Sequence, residues 1–190
     1  MVHSCFERRT MHARILMAAL AAIPVAILAY ADIASSPYAG QQTRAINALS
    51  PDDIEELRTG AGMGLAKAAE LNGYPGPLHV VALAKELQLT LEQIRLVTDI
   101  RERMSAAAKA LGGEIIDREQ ELDRLFAEGR ITSERLSGET AAIGALQGRL
   151  RSVHLAAHLQ TRDVLTPEQL AGYRQLRGYG NEAAGPHHHR

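Results

Sequence analysis

Apolar residues recur at spacings of three, four and seven along most of the chain after residue 50, a pattern typical of helices. The longest stripe begins after Thr90 and runs without proline to about Glu128, which predicts a helix of about 58 Å. A second stripe predicts a return helix from Thr132 to about Asp163. The turn between them allows only antiparallel packing, so we predict an all-α fold built on a long helical hairpin. The apolar positions are Ile94, Val97, Ile100, Met104, Ala107, Leu111, Ile115, Leu122 and Leu125 on the first helix, and Leu136, Ile143, Leu146, Leu150 and Val153 on the second.

Shorter predicted helices flank the hairpin. Ser50 followed by Pro51 and two aspartates is typical of a helix start, because the hydroxyl caps the first turn and proline needs no hydrogen bond there. This helix is predicted to end at about Arg58, before glycines at 60, 62 and 64. Further helical segments are predicted over 65–71, over 78–87 after a turn at 72–77, and from Thr166 to about Gly178.

One short motif occurs twice, as Leu89-Thr90-Leu91-Glu92-Gln93 and as Leu165-Thr166-Pro167-Glu168-Gln169. In each copy the threonine hydroxyl can accept a hydrogen bond from the backbone N–H three residues later. The glutamine can reach back to the threonine N–H, which completes a capping box. The motif is therefore either a pair of ordinary helix starts or a family signature that frames the hairpin.

The first 31 residues have the features of a cleaved secretory signal. Arg8, Arg9 and Arg14 form a basic start, and an apolar run from Ile15 to Ala29 follows. The sequence Ala29-Tyr30-Ala31 has the small residues that signal peptidase recognises. The apolar run is about 15 residues long and contains a proline, so it is shorter than a membrane span of ~20 residues. We predict export with cleavage near residue 31, with a retained membrane anchor as the alternative.

Cleavage would change the composition of the remaining chain. Cys5, the only cysteine, would be removed, which excludes disulfides and thiol catalysis in the mature protein. Loss of Glu7, Arg8, Arg9 and Arg14 leaves 18 basic and 21 acidic residues, a net charge of -3. This charge gives no reason to expect nucleic acid as a partner. The mature chain has no Trp, so aliphatic residues and alanine must build its core, which favours thin pairs of helices.

The signal, the cysteine-free helical body and the two motif copies together resemble the Spy/CpxP family, whose signature is the Leu-Thr-x-x-Gln motif. The resemblance covers 78–178, and residues Leu89, Thr90, Gln93, Leu165, Thr166, Pro167 and Gln169 carry it. It implies a periplasmic protein and a cradle-shaped homodimer that covers the apolar stripe. The expected organisation is a signal at 1–31, an N-terminal extension at 32–77, the hairpin domain at 78–178 and a histidine-containing tail at 179–190.

The resemblance also implies a function. Members of the family are ATP-independent chaperones or inhibitors of envelope-stress sensor kinases, and their relatives include periplasmic heavy-metal sensors. The expected partners are unfolded envelope proteins or a membrane sensor protein. A client would bind through basic and apolar contacts, and the alternative for the basic residues is a solvated face with i,i+4 ion pairs. The candidate basic residues are Arg95, Arg101, Arg103, Lys109, Arg118, Arg149 and Arg151, of which we single out Arg95, Arg101, Arg103, Arg118 and Arg151 for client binding.

Two histidines four residues apart are the best candidate for metal binding. His154 and His158 lie one turn apart on the return helix, a spacing with which a helix can bind one divalent ion. The hairpin register places Glu102 opposite His158, and imidazoles with a carboxylate suit zinc, copper or nickel. Asp99 and His79 are further candidates for this site. Two surface histidines are the alternative, and the histidines of the tail are a separate source of metal affinity.

No sequence motif indicates an enzyme. The chain has no phosphate-binding loop and no Gly-x-Ser-x-Gly, and Leu155 stands where a His-Glu-x-x-His protease has its glutamate. We therefore expect a non-enzymatic envelope-stress protein that requires no cofactor. The alternatives are a heavy-metal sensor or buffer that uses His154, His158 and Glu102, and a purely structural envelope protein.

Overall fold

The structure is a computed structural model that describes residues 36–179. The predicted signal at 1–31 and the tail histidines at 187–189 therefore lie outside the described residues. Across 36–179 the fold is all-helical, without strands, as the sequence predicts. The six α-helices of this range are α1 (Pro51–Thr59), α2 (Lys67–Glu70), α3 (Pro77–Ala82), α4 (Leu91–Ala127), α5 (Ser133–Val164) and α6 (Pro167–Leu176).

The chain divides into two compact units, with the boundary after Thr43. In the first unit, the described part is a turn followed by a short 3-10 helix over Gln41–Thr43. Helices α1 to α6 belong to the second unit, which begins at Arg44. The predicted extension at 32–77 therefore contributes its residues from 44 onward to the same unit as the hairpin.

Helices α4 and α5 form the predicted antiparallel hairpin. Gly129 follows α4 with a φ of 62°, a left-handed conformation that glycine adopts without steric cost. A first hydrophobic core, which we call the upper core, lies between the two helices and against α1. One of the predicted core positions, Leu136, is instead 40% exposed; it lies in the first turn of α5, beside the turn that connects the two helices. The upper core consists of Ile46, Leu57, Ala108, Leu111, Ile115, Ile116, Leu146 and Leu150.

Helix α1 crosses α4 at very close range. The backbone oxygen of Leu57 lies where a side chain on Gly112 would project, far inside van der Waals contact with the position of a β-carbon. Only glycine at this position of α4 allows the two backbones to approach so closely. The crossing therefore fixes where the chain before the hairpin docks onto it.

A second core closes the end of the hairpin where α4 begins and α5 ends. Val80, Val97 and Tyr173 are almost completely buried there, and they come from α3, α4 and α6. Leu87 and Leu165 complete this core beside the two motif copies.

Within 36–179, no helix is both long and apolar enough to span a membrane. The cradle-shaped homodimer that the sequence predicts stays a prediction.

Candidate functional site

Both copies of the repeated motif form the capping boxes that the sequence predicts. The hydroxyl of Thr90 accepts a hydrogen bond from Gln93 N, and Gln93 Oε1 accepts one from Thr90 N at 3.0 Å. The same two bonds join Thr166 and Gln169 at the start of α6. Each box satisfies backbone donors that the first helical turn leaves without a partner.

The two glutamines of these boxes also bind each other. Gln93 Nε2 donates to Gln169 Oε1 at 2.8 Å, and Gln169 Nε2 donates back to Gln93 Oε1 at 3.1 Å. Each Nε2 also donates to a backbone oxygen at the end of the preceding segment, Val164 O for Gln93 and Leu87 O for Gln169. This reciprocal pair, which we call the glutamine clasp, joins the start of α4 to the start of α6. The repeated motif predicts both glutamines as cap residues but does not predict their contact; the only signal for it is that two identical side chains stand in identical caps.

His154 and His158 are both buried on α5, so neither is a surface histidine. His158 Nδ1 lies 2.7 Å from the backbone oxygen of Tyr74, so this nitrogen carries a proton and donates it. His154 Nε2 is a buried polar atom without a hydrogen-bond partner among the described residues. Burial, with a smaller contribution from His158, lowers the pKa of His154. Its ring is therefore held in the neutral form at neutral pH.

A carboxylate from the predicted extension lies at the centre of the polar contacts beside His158. Glu70 Oε1 accepts hydrogen bonds from Tyr173 Oη at 2.6 Å and from Arg177 Nε and Tyr179 Oη at 3.3 Å. Its Oε2 accepts from Gly76 N at 3.1 Å. Burial, with further contributions from Glu70, raises the pKa of Tyr173 far above its ordinary value, so the phenol stays neutral and donates. No local sequence pattern marks Glu70, because its side-chain partners on and after α6 lie about one hundred residues away.

The predicted metal ligands are not gathered around one point. The carboxylate nearest to His158 is that of Glu70, with Oε2 at 3.7 Å from Nδ1, whereas Glu102 is exposed. Asp99 instead forms an ion pair with Arg95 at 3.1 Å. Within residues 36–179, no three His, Cys, Asp or Glu side chains form a group that could hold a metal ion. Metal binding by His154 and His158 therefore stays a prediction.

His79 lies at the start of α3, close enough to respond to the charges of Glu70 and of the groups around it, which we call the Glu70 cluster (Glu70, His158, Tyr173, Arg177 and Tyr179). Burial is the main reason that its pKa is lowered, and the charge of Arg177 lowers it further. Glu70 opposes this effect, and His158 adds to it. His79 therefore lies within electrostatic range of His158, and its role as a metal ligand stays a prediction beside the alternative of a simple helix-start residue.

The five arginines proposed for client binding fall into two groups. Arg95 pairs with Glu92 at 2.6 Å and with Asp99, and Arg118 pairs with Glu139 at 3.4 Å. These two arginines match the solvated-face interpretation, since their charges are already balanced by neighbours. Arg101, Arg103 and Arg151 make no ion pair with any carboxylate that the structure describes.

Arg103 and Arg151 each line a cleft with mainly apolar walls. The cleft of Arg103, of about 180 Å³, is lined by Ile100, Arg103, Met104, Val153, Ala156, Ala157 and Gln160. The cleft of Arg151, which we call the α1 cleft, has a volume of about 440 Å³. It lies between the α1 region and the hairpin, and is lined by Leu49, Asp53, Leu57, Met63, Leu65, Ile115, Gly144, Gln147, Gly148, Leu150 and Arg151. The α5 residues that line one cleft lie about half a helical turn from those that line the other, so the two clefts lie on different faces of α5.

Comparison of the chain with protein-family models, with curated proteins and with solved structures gives no significant match.

Proposed function

We propose that this protein is a non-enzymatic periplasmic envelope-stress protein of the Spy/CpxP type. In this role it binds unfolded segments of envelope proteins without ATP, or binds a membrane stress sensor through the same surfaces. The observation that carries the proposal is an apolar cleft beside an arginine that pairs with no described carboxylate, a combination that occurs on two faces of the hairpin.

An unfolded client presents apolar side chains next to charged ones. The α1 cleft and the cleft of Arg103 offer apolar walls to the former, since burial of apolar area drives such association. Arg103 and Arg151 are exposed, and their guanidinium groups need not break an ion pair with a described carboxylate before they bind a client. This combination favours acidic, partly apolar segments and does not require one particular sequence.

The clasp and the Glu70 cluster support the proposal in a different way. They join the start of α4, the end of α5 and helix α6 by side-chain hydrogen bonds, so the two long helices that contribute to both clefts are tied together at one end. A preformed binding surface loses less conformational freedom when a client binds. Such a protein needs neither a cofactor nor nucleotide hydrolysis to act.

The proposal is tested by the suppression of client aggregation. Reduced α-lactalbumin, an acidic protein that aggregates when its disulfides are broken, is followed by light scattering with and without the protein. We expect suppression at near-stoichiometric ratios without ATP. The double variant Arg103→Gln/Arg151→Gln should need about fivefold more protein, which is the effect of losing about 1 kcal/mol of charge contacts.

The matched control is Arg95→Gln/Arg118→Gln, which removes the same charge from residues that are already paired. It should suppress aggregation as well as the unchanged protein. Equal losses in the two double variants would mean that net charge alone matters, and would contradict the role of the clefts. If the unchanged protein gives no suppression at equimolar ratio, the chaperone form of the proposal is wrong.

A further inference from the structure

The α1 cleft has the size and walls of a site for a small molecule. Its volume of about 440 Å³ falls within the range of ligand pockets, roughly 300–1,000 Å³. Leu57, Ile115 and Leu150 are buried at its base, and Leu49 and Leu65 are half-buried at its sides. Because these five side chains are all aliphatic, the part of the cleft that they line is suited to an aliphatic chain.

The two ionised groups of the cleft differ in what they already bind. Asp53 Oδ2 accepts hydrogen bonds from Ser50 N at 2.8 Å and Ser50 Oγ at 2.6 Å, so it is committed to the start of α1. Arg151 has no ion-pair partner among the described carboxylates and lies exposed at the edge. A guanidinium is a bidentate donor that matches a carboxylate. Arg151 is therefore the ionised group of the cleft that remains available to pair with a ligand.

One wall of the cleft is formed by two glycines. Gly144 and Gly148 lie one turn apart on α5, and a β-carbon on either would meet no described atom within 4 Å. A glycine inside a helix lowers the stability of that helix by about 1 kcal/mol relative to alanine. Neighbouring atoms do not require glycine at these two positions, but larger side chains would project into the cleft.

We propose that the α1 cleft binds a medium-chain aliphatic carboxylate, with the chain among the leucines and Ile115 and the carboxylate on Arg151. Charge complementarity with this arginine, next to an aliphatic base and sides, selects this class of ligand. The ligand would occupy the cleft and contact the arginine that the proposed client also uses, but its binding requires neither a client nor a periplasmic location. Dodecanoate serves as the probe for this class of ligand.

The test is calorimetric titration of the full-length protein with dodecanoate at pH 8, below the concentration at which micelles form. Dodecanol and acetate serve as probes of the chain and the head group alone. We expect saturable binding of dodecanoate at one site, weaker binding of dodecanol and none of acetate. Arg151→Gln should weaken dodecanoate binding about fivefold, the effect of about 1 kcal/mol at an exposed ion pair. Arg149→Gln, which removes an exposed charge outside the cleft, should leave it unchanged.

The location of the ligand is tested by filling the cleft. Gly144→Met and Gly148→Met place a side chain into it while raising helix propensity, so these variants should remain folded. We expect each to weaken dodecanoate binding by tenfold or more, whereas Gly138→Met, on α5 but outside the cleft, should not.

Several outcomes would overturn the proposal. Equal affinities for dodecanoate and dodecanol would remove the role of Arg151, and unchanged binding in both filled variants would place the ligand elsewhere. No binding by the unchanged protein, together with a dimer in sedimentation that Gly148→Met dissociates, would show that a second copy occupies the cleft. Client aggregation is a separate readout, so dodecanoate binding without suppression would refute only the proposed function.

Discussion

His154 is a buried residue of α5 whose side chain has a polar atom without a hydrogen bond among the described residues. Its ring lies on the buried face of α5 and is only 4% exposed, and its Nε2 has no partner among the described residues. A buried polar atom without a hydrogen bond loses its hydration without compensation, which costs roughly 1–3 kcal/mol. Protonation would add a charge to this environment, and the lowered pKa of His154 reflects that penalty.

The lowered pKa values of His154 and His79 predict acid sensitivity. The ordinary pKa of an unfolded histidine is 6.5, and both native values lie below it. As the pH falls through 6.5, the unfolded chain therefore binds more protons than the native protein, and the free energy of unfolding decreases. We expect full stability above pH 7 and a progressive loss as the pH falls below 6.5, measured by urea unfolding.

A substitution at His154 tests its share of this effect. His154→Met keeps a side chain of similar size and removes both the proton site and the unpaired Nε2, so its unfolding free energy at pH 8 should rise by about 1 kcal/mol. As the pH falls below 6.5, the variant should lose less stability than the unchanged protein. Parallel pH curves for the two proteins would rule out His154 as a source of acid sensitivity.

Capping residues set where most of the helices begin, and one close contact sets where α1 packs on the hairpin. Among the described helices, those that start after Ser50, Thr90 and Thr166 use a reciprocal capping box, and α5 uses the hydroxyl of Thr132. These caps explain why the predicted helix starts agree with the observed ones. The crossing of α1 over α4 at Gly112 depends instead on two segments more than fifty residues apart.

Two adjacent glycines in α4 provide a matched test of that crossing. Gly112→Ala would place a β-carbon against Leu57 O, and we expect a loss of about 2–4 kcal/mol in unfolding free energy because one helix must shift. Gly113→Ala meets no described atom within 4 Å and should stabilise the protein by about 0.5–1 kcal/mol through helix propensity. Both values come from urea unfolding at pH 8. Stabilisation by both substitutions would contradict the close crossing.

At the scale of the whole molecule, side-chain hydrogen bonds join distant parts of the chain at one end of the hairpin. The glutamine clasp connects α4 to α6, and Glu70 connects the segment before the hairpin to α6 and to the residues after it. Each glutamine amide uses its oxygen and its nitrogen, so removing one leaves several polar atoms without partners. The clasp should therefore contribute more to stability than a cap alone.

The substitution Gln93→Glu separates the clasp from the cap. A glutamate at this position still accepts the Thr90 N–H, as in a capping box, but cannot donate to Gln169 or to Val164 O. We expect a loss of about 2 kcal/mol at pH 8, against less than about 0.5 kcal/mol for Gln120→Glu, an exposed position on the same helix. A Gln93→Ala/Gln169→Ala double-mutant cycle should give a coupling energy of about 1 kcal/mol. Additive effects in the cycle would show that the two amides do not depend on each other.

The sequence by itself determined the two long helices, the turn at Gly129 and the antiparallel hairpin, because periodicity, capping boxes and turn residues act between positions a few residues apart. The shorter helices predicted over 65–71 and 78–87 are instead Lys67–Glu70 and Pro77–Ala82. It also identified His154, His158, Arg103 and Arg151 as residues to examine, but not what surrounds them. The tertiary structure decided that Glu70, and not Glu102, lies beside His158, and that the segment from residue 44 packs on the hairpin. It also decided that the two motif glutamines bind each other. These contacts depend on how the helices pack face to face, and local pattern sets the position of a residue along a helix without setting which partner covers that face.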